Sequence, residues 1–430
     1  MPEGSLRTDP STESELMKAS AAHIEPAGRM TPTEKKASIS LAGIFALRML
    51  GLFLILPVFA VYAKNLPGGE NEFLVGLTLG IYGLTQSMLQ IPFGAASDRL
   101  GRRPVIAAGL ILFAAGSILA AVGTSIWTVM IGRALQGAGA VSAAVTAFIS
   151  DSVRDRVITK AMALVGASIG LTFAFSLVAA PPLTELWGVP GLFWLTAVLS
   201  LGAVWVVLRV VPEPPKLSVS EAAELEHKPW PRVVFDPQLL RLNAGIFFLH
   251  CVQMALFVVI PPRLVDMGLP VLHHWYIYLP AVLIGFAVMM KPISWAERHA
   301  RTTGLLRGCV ILLGAVFILF GFLMHSVWEI AFLMTLFFIC FNILEATLPG
   351  LISRCAPKAD KGLALGVYNT TQSFGLFMGG AAGGWISQHF SAEAVFMTSS
   401  FAMLLWFVLA LGLREPAPKK RHEQGEAIQV

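Results

Sequence analysis

Four ionisable side chains stand inside otherwise apolar runs of this chain. They are Arg48 in Phe45-Ala46-Leu47-Arg48-Met49-Leu50-Gly51, Arg133 in Ile131-Gly132-Arg133-Ala134-Leu135-Gln136, His250 in Phe247-Phe248-Leu249-His250-Cys251, and Glu345 in Phe341-Asn342-Ile343-Leu344-Glu345-Ala346. A charge left in hydrocarbon costs at least about 2.5–3.5 kcal/mol, so each must face a cavity or a partner. A histidine ordinarily titrates near neutrality, and a carboxyl is the other group here able to take up and release a proton. His250 and Glu345 are therefore the candidate proton carriers, with Asn342 on the Glu345 helix face. A guanidinium keeps its proton, so Arg48 and Arg133 are fixed cations that influence those carriers. Two plainer alternatives stand beside this reading: a histidine hydrogen-bonding a neighbouring helix, and Glu345 fixed in an ion pair with Arg48 or Arg133.

A second group of residues lies between two apolar runs, in Gly94-Ala95-Ala96-Ser97-Asp98-Arg99-Leu100-Gly101-Arg102-Arg103-Pro104. Gly94 and Gly101 permit a tight reversal, and Arg99, Arg102 and Arg103 hold it in water. Asp98 is an acid among bases, and orientation does not need it. A carboxylate against a helix N-terminus contributes roughly 0.3–2 kcal/mol, which biases a two-state equilibrium several-fold. Asp151 and Arg154, after the fourth run, are expected to pair with Arg102 or Arg103 and extend such a latch. The alternative is that the arginines only fix topology. Tyr82, Gln86 and Gln90 recur at i, i+4 and i+8, and with Gln253, Asn342, Asn369 and Gln372 they are candidates to line a cavity or to hydrogen-bond between helices.

The elements that must carry these residues follow from composition. The 430 residues are 56% hydrophobic and 13% charged, with a mean hydropathy of +0.71. A soluble domain is about 45–50% apolar and about 25% charged, so this is an all-α polytopic membrane protein. Twelve spans are predicted at 39–63, 73–96, 105–122, 126–150, 159–182, 189–211, 239–264, 275–295, 304–325, 327–353, 362–386 and 392–413. Residues 1–37 read as a disordered cytoplasmic tail, 38–211 and 239–414 as six-helix bundles, 212–238 as a cytoplasmic linker and 415–430 as a cytoplasmic C-tail. With both termini on the cytoplasmic side, 27 of the 31 Lys and Arg residues fall on that side or at the span ends adjoining it. Lys64 and Arg263 are left outside, and Arg48 and Arg133 within. That asymmetry explains the net charge of +5 by topology, with no nucleic-acid partner needed. The four cysteines are scattered and no His/Cys cluster occurs, so no metal site is expected. No Gly-x-x-x-x-Gly-Lys-Ser/Thr loop or catalytic constellation is present, which argues against ATP use and against an enzyme.

The halves repeat at an offset of about 200: Phe45-Ala-Leu-Arg48 with Phe247-Phe-Leu-His250, Leu56-Pro57 with Ile260-Pro261, Ile91-Pro92-Phe93 with Lys291-Pro292-Ile293, and Asp98-Arg99 with Glu297-Arg298. Such repeats are typical of alternating-access carriers. The hairpin 94–104 resembles the loop signature of the major facilitator superfamily, Gly-x-x-x-Asp-Arg-x-Gly-Arg-Arg/Lys, with Ala96 where Leu is common. Gly132-Arg133-Ala-Leu-Gln136-Gly137-Ala-Gly139 resembles the family's fourth-helix motif. The chain is most similar to the twelve-helix drug/proton antiporter branch. Within it, Leu47-Arg48-Met49-Leu50-Gly51, His250 and Phe341-Asn342-x-x-Glu345-Ala346 point to the YajR-like group. Gly166-Ala-Ser-Ile-Gly170 resembles the start of the antiporter motif, but the later Gly-Pro pair is replaced near Ala180-Pro181-Pro182.

The resemblance implies a major facilitator fold, two pseudo-symmetric six-helix bundles, in a bacterial inner membrane. It implies that Asp98 docks near Lys361-Gly362 at the start of the eleventh helix in the outward-open state, and that Arg133 tunes the proton site. The expected function is proton-coupled efflux of a small hydrophobic or amphipathic compound, by a monomer that draws on the proton gradient and no cofactor. An organic-anion or metabolite carrier using Arg48 and Arg133 for substrate charge is the first alternative. A transport-inactive membrane sensor is the second.

Overall fold

The computed structural model describes residues 30–212, 230–357 and 360–415. The outer parts of the two expected tails and most of the linker lie outside the described residues. Every described element is helical, with no strand among the described residues. The first span is Pro32–Phe53 continued by Leu56–Ala63, the second Glu72–Leu100 and the third Arg102–Ala121. The fourth is broken into Ile126–Ala138 and Ser142–Ser152. The fifth and sixth share the helical stretch Asp155–Arg209, turned at Gly188 with φ of 66°. After a short helix at Trp230–Val234, the remaining spans are Pro237–Asp266, Trp275–Arg298, Thr302–Phe322, Val327–Cys355, Lys361–His389 and Ala392–Leu411. Nine stretches among the described residues are long and apolar enough to cross a membrane. One of them holds two spans, and the broken fourth and the glycine-rich eleventh complete the twelve.

Caps fix where many of these helices start. Asn71 accepts the Leu74 N–H at 3.1 Å, Asp236 accepts those of Gln238 and Leu239, and Ser391 accepts that of Ala394. Ser326 and Glu329 form a reciprocal capping box. Thr31 and Glu34 form another, so the first helix starts at Pro32. Residues 30–37, expected in the disordered tail, are therefore part of the fold. The end of the expected linker is likewise helical at Trp230–Val234 and caps the seventh span through Asp236.

Inside a bilayer lipid is as apolar as a leucine side chain, so helices associate through close packing and hydrogen bonds. In the first half, the Ser168 hydroxyl on the fifth span donates to the Ala42 carbonyl, and the Phe53 and Phe173 rings meet edge to face at 4.9 Å. The Ser200 hydroxyl ties the sixth span to the Leu110 carbonyl of the third at 2.8 Å. The two halves meet most closely where the second span lies against the eleventh. A Cβ placed at Gly76 would come within 2.2 Å of the Gly380 carbonyl, and one at Gly380 within 2.4 Å of the Gly76 carbonyl. The backbones touch, and only glycine permits it. At the tip of this contact the Glu72 N–H donates to Gln388 Oε1 at 2.6 Å.

Toward the arginine-rich end the same two helices part. Leu84, Ser87 and Met88 face Thr370, Thr371 and Phe374 across a cleft of about 310 Å³. Beyond it Gly362 and Gly366 look into open space, and Gly94 touches only Ala143 of its own half. The bundle is thus sealed at one end and open at the arginine-rich end. A leucine at position 380 is expected to force the sealed end apart. Spin labels at positions 72 and 388 should then report a longer distance in Gly380→Leu than in the parent, and an unchanged distance would show that the seal does not rest on this glycine.

Candidate functional site

In the second half, three spans bring His250, Glu345 and Gln372 together. Helical spacing from Gly245 and Ile246 turns His250 inward, where it is 4% exposed. Its Nδ1 lies 3.3 Å from the Ile246 carbonyl, and its Nε2 lies 2.8 Å from Nε2 of Gln372. The same Gln372 amide donates to Glu345 Oε1 at 3.3 Å. This arrangement suits a neutral imidazole that donates from Nδ1 and accepts at Nε2. A proton arriving at Nε2 displaces the Gln372 donor and faces Glu345 Oε2, 3.7 Å away. The Glu345 side chain is 31% exposed and that of His250 only 5%, but Glu345 Oε2 is itself buried and has no hydrogen-bond partner. Phe337, Phe338 and Phe341 stack one turn away, with the Phe341 ring 5.8 Å from the imidazole.

The first half holds a different network. Arg48 Nη1 donates to the Ser142 hydroxyl at 2.5 Å and Nη2 to Gln86 Oε1 at 2.7 Å. The Gln86 amide reaches Gln90 Oε1 at 3.5 Å. Arg133 Nη1 donates to Gln136 Oε1 at 2.9 Å, and the Gln136 amide passes to the Ser117 hydroxyl at 2.7 Å. Both guanidinium groups lie over one ring, with Cζ of Arg48 5.8 Å and Cζ of Arg133 4.9 Å from the Tyr82 centroid. Among the described residues no carboxylate pairs with either arginine, so the expected alternative of an ion pair from Glu345 to Arg48 or Arg133 is absent in this conformation. Withdrawing an unpaired charge from water costs several kcal/mol, which hydroxyl and amide oxygens offset in part. Gln86 and Gln90 serve Arg48 here instead of lining an open cavity. Ser117 and Ser142, which the sequence reading missed, carry no pattern beyond a small polar residue in an apolar run.

Of the other cavity candidates, Asn342 and Gln253 are buried, and Asn342 Nδ2 and Gln253 Oε1 find no hydrogen-bond partner. Asn369 is half-buried and its carbonyl accepts from the Ser373 hydroxyl. None of the three hydrogen-bonds to the Glu345 cluster. Among the described residues no group of His, Cys, Asp and Glu could hold a metal.

The hairpin positions its charges as follows. Gly101 adopts φ of 94°, which reverses the chain between the second and third spans. Arg102 pairs with Asp98, donates to Ser97 at 2.7 Å and pairs with Asp151 at 2.7 Å. Arg103 donates to the Val211 carbonyl at the end of the sixth span. Arg99 is exposed. The Asp98 side chain is 63% exposed and does not reach the start of the eleventh span, in keeping with a bundle open at this end. Arg154 departs from expectation. Two cations have no reason to pair, and it instead grips Glu34, with Nε 2.8 Å from Oε1 and its own backbone N–H 3.0 Å from the same oxygen. Glu415 plays the matching part in the second half, accepting the N–H groups of Thr302 and Thr303 at 2.9 and 2.7 Å. Burial pushes the Glu415 carboxyl up, but the hydrogen bonds from Thr303 and Thr302 outweigh it and hold it below its ordinary value.

Comparison with known proteins agrees with this architecture. The sequence pattern of the Major Facilitator Superfamily matches residues 41–294 and 293–429. The inner membrane transport protein YajR of Escherichia coli (strain K12) is 41% identical over 388 residues, covering 90% of this chain and 85% of that protein. The multidrug resistance protein MdtH of Proteus mirabilis (strain HI4320) is 25% identical, covering 79% of this chain and 84% of that one. Among solved structures, the POT family transporter PepTSo superposes with a TM-score of 0.67 at 12% identity, over 89% of this chain and 96% of that one, which bears on fold alone.

Two stability predictions follow from the carboxylate clamps. Glu34→Ala removes the partner of the half-exposed Arg154 guanidinium, whose donors then turn to water, and is expected to cost about 1 kcal/mol, read as a lower unfolding temperature in detergent. Because the Glu415 carboxyl is held down, its contribution is present above the ordinary carboxyl range and is lost as pH falls through the lowered value. Glu415→Gln should therefore flatten part of the acid limb of a stability–pH profile, and an unaltered limb would remove this clamp from the account.

Proposed function

We propose, from the premise that this chain belongs to the Major Facilitator Superfamily and is a transporter, that it exports small hydrophobic or amphipathic compounds in exchange for protons. The observation that carries this reading is the Glu345 carboxyl, linked through Gln372 to the buried His250. A titratable pair inside an apolar bundle is costly, so its presence points to a use for its protonation. In the conformation described here the bundle is open at the arginine-rich end. A proton leaves the pair on this side as cargo arrives. Reprotonation from the other side, after the halves rock about the second and eleventh spans, displaces the cargo outward. Arg48 and Arg133 stand in the other half as fixed cations.

The distribution of Lys and Arg supports cytoplasmic termini and an open cytoplasmic end, in the inner membrane of a bacterium. Asp98, exposed and paired only with its neighbour Arg102 among the described residues, is the group that re-docks when the cytoplasmic end closes. The names of the MdtH relatives support efflux over uptake. The phenylalanine wall beside His250 favours a lipophilic cargo over one recognised by many directional hydrogen bonds. The proton gradient is the energy source, and one chain forms the whole path.

Proteoliposomes with an imposed pH gradient test this. Glu345→Gln is expected to abolish gradient-driven accumulation while leaving gradient-independent exchange of labelled cargo measurable. Flux that ignores the gradient in the parent protein, or survives intact in Glu345→Gln, overturns the reading. Asp98→Asn should insert normally and lower flux several-fold; full flux would make the hairpin a topology signal only.

A further inference from the structure

The network around Arg48 and Arg133 contains more donors than acceptors, and its unmet groups are all of one kind. Arg48 Nε, Arg133 Nε and Nη2, the Tyr82 hydroxyl and the Gln90 amide nitrogen are buried without a hydrogen-bond partner. Arg133, Tyr82 and Gln90 are each 0% exposed and Arg48 is 2% exposed. Each of these atoms carries a hydrogen to donate, and no carboxylate answers the two full positive charges.

The broken fourth span adds a third positive element. Ser142 opens the eleven-residue helix Ser142–Ser152, whose N-cap residue Val141 provides no side-chain cap. The first-turn N–H groups of a helix lack intrahelical partners and carry partial positive charge. Arg48 is held against this helix start by its 2.5 Å hydrogen bond to the Ser142 hydroxyl. A cation at a helix N-terminus is repelled by it. Ala140, Val141, Ser142 and Ala144 are all buried, so bulk water does not screen the pair. Interrupted membrane helices whose N-termini point at anionic groups are a recurrent way of building such sites.

We propose that the cluster of Arg48, Arg133, Tyr82, Gln90 and the start of helix Ser142–Ser152 is an anion-binding site. Its ligand is a single-charged, acceptor-only group of the size of a halide or a carboxylate. Water molecules can meet unmet donors but leave both charges uncompensated, whereas an anion meets donors and offsets one of the charges. The occupant is either an inorganic anion held as a counter-ion or the carboxylate of the cargo itself. In the second case the cargo proposed above is an amphipathic acid, with its charge in the first half and its apolar body toward Phe337, Phe338 and Phe341.

Equilibrium thermal unfolding of the purified protein at constant ionic strength tests the site without any proton gradient, and so separates it from the transport reading. Chloride, and separately benzoate, replace isethionate over a concentration series. The expected result is a saturable rise in unfolding temperature of several degrees, lost in Arg133→Gln. Chloride active alone assigns a bound counter-ion; benzoate active, with or without competition from chloride, assigns a cargo carboxylate. Gln90→Glu provides a fixed negative charge inside the cluster and is expected to raise the unfolding temperature and remove its anion dependence. It also reads the site if Arg133→Gln fails to fold. No saturable rise with either anion in the parent protein, or a rise undiminished in Gln90→Glu, overturns the proposal.

Discussion

A guanidinium group in a protein does not shed its proton, and this chain buries two of them in the interior of one bundle. Much of the first half is arranged around that constraint. The second span contributes Tyr82 and Gln86, the third Ser117, and the fourth gives up its continuity so that Ser142 reaches Arg48. The second half carries no such fixed charge near its centre. There a histidine and a carboxyl share one glutamine, and each can change its charge by moving a single proton. The repeat that relates the halves is thus conserved in fold and divided in electrostatics: one half is permanently positive, the other is switchable. Arg48 and His250 occupy corresponding places in the repeat, and the substitution between them is the clearest expression of this division.

The same division runs through the packing. Within each half, hydroxyls and amides tie helices to neighbouring carbonyls, and a carboxylate at the arginine-rich end secures a chain terminus: Glu34 grips Arg154 and Glu415 caps the ninth span. Between the halves, the sealed end relies on backbone contact at Gly76 and Gly380. Internally braced units joined by a smooth, side-chain-free surface can rock as rigid bodies, which is the motion that alternating access requires.

Much of this was legible in the sequence because membranes constrain it so strongly. A span needs about twenty apolar residues, so the number of helices follows from counting, and the side on which loops collect Lys and Arg gives their expected orientation. His250 and Glu345 were singled out by their isolation in apolar runs, but neither their meeting nor Gln372 as the hub was anticipated. The broken fourth span was hidden because Gly139-Ala140-Val141 contains no proline. The interruption lies where the backbone runs close to the third span, a Cβ at Gly139 falling 2.4 Å from the Gly109 carbonyl. Glu34 was read as part of a tail because its partner lies 120 residues away, beyond the reach of any local pattern. Arg154 was misassigned for the same reason: counting charges at a loop identifies cations, but pairing depends on which helix starts stand side by side.

The glycine contact between the second and eleventh spans has a consequence for energetic efficiency. A carrier that holds a titratable carboxyl within the bilayer is a short-circuit hazard, because a file of water reaching it from both sides would let protons run through unproductively. Side-chain seals fluctuate as rotamers turn, and each excursion admits a molecule or two. Two backbones in direct contact have no rotamers to turn and leave no gap the width of water. Under the proposed proton exchange, this contact keeps water out along its line until the halves separate, without a residue devoted to blocking it.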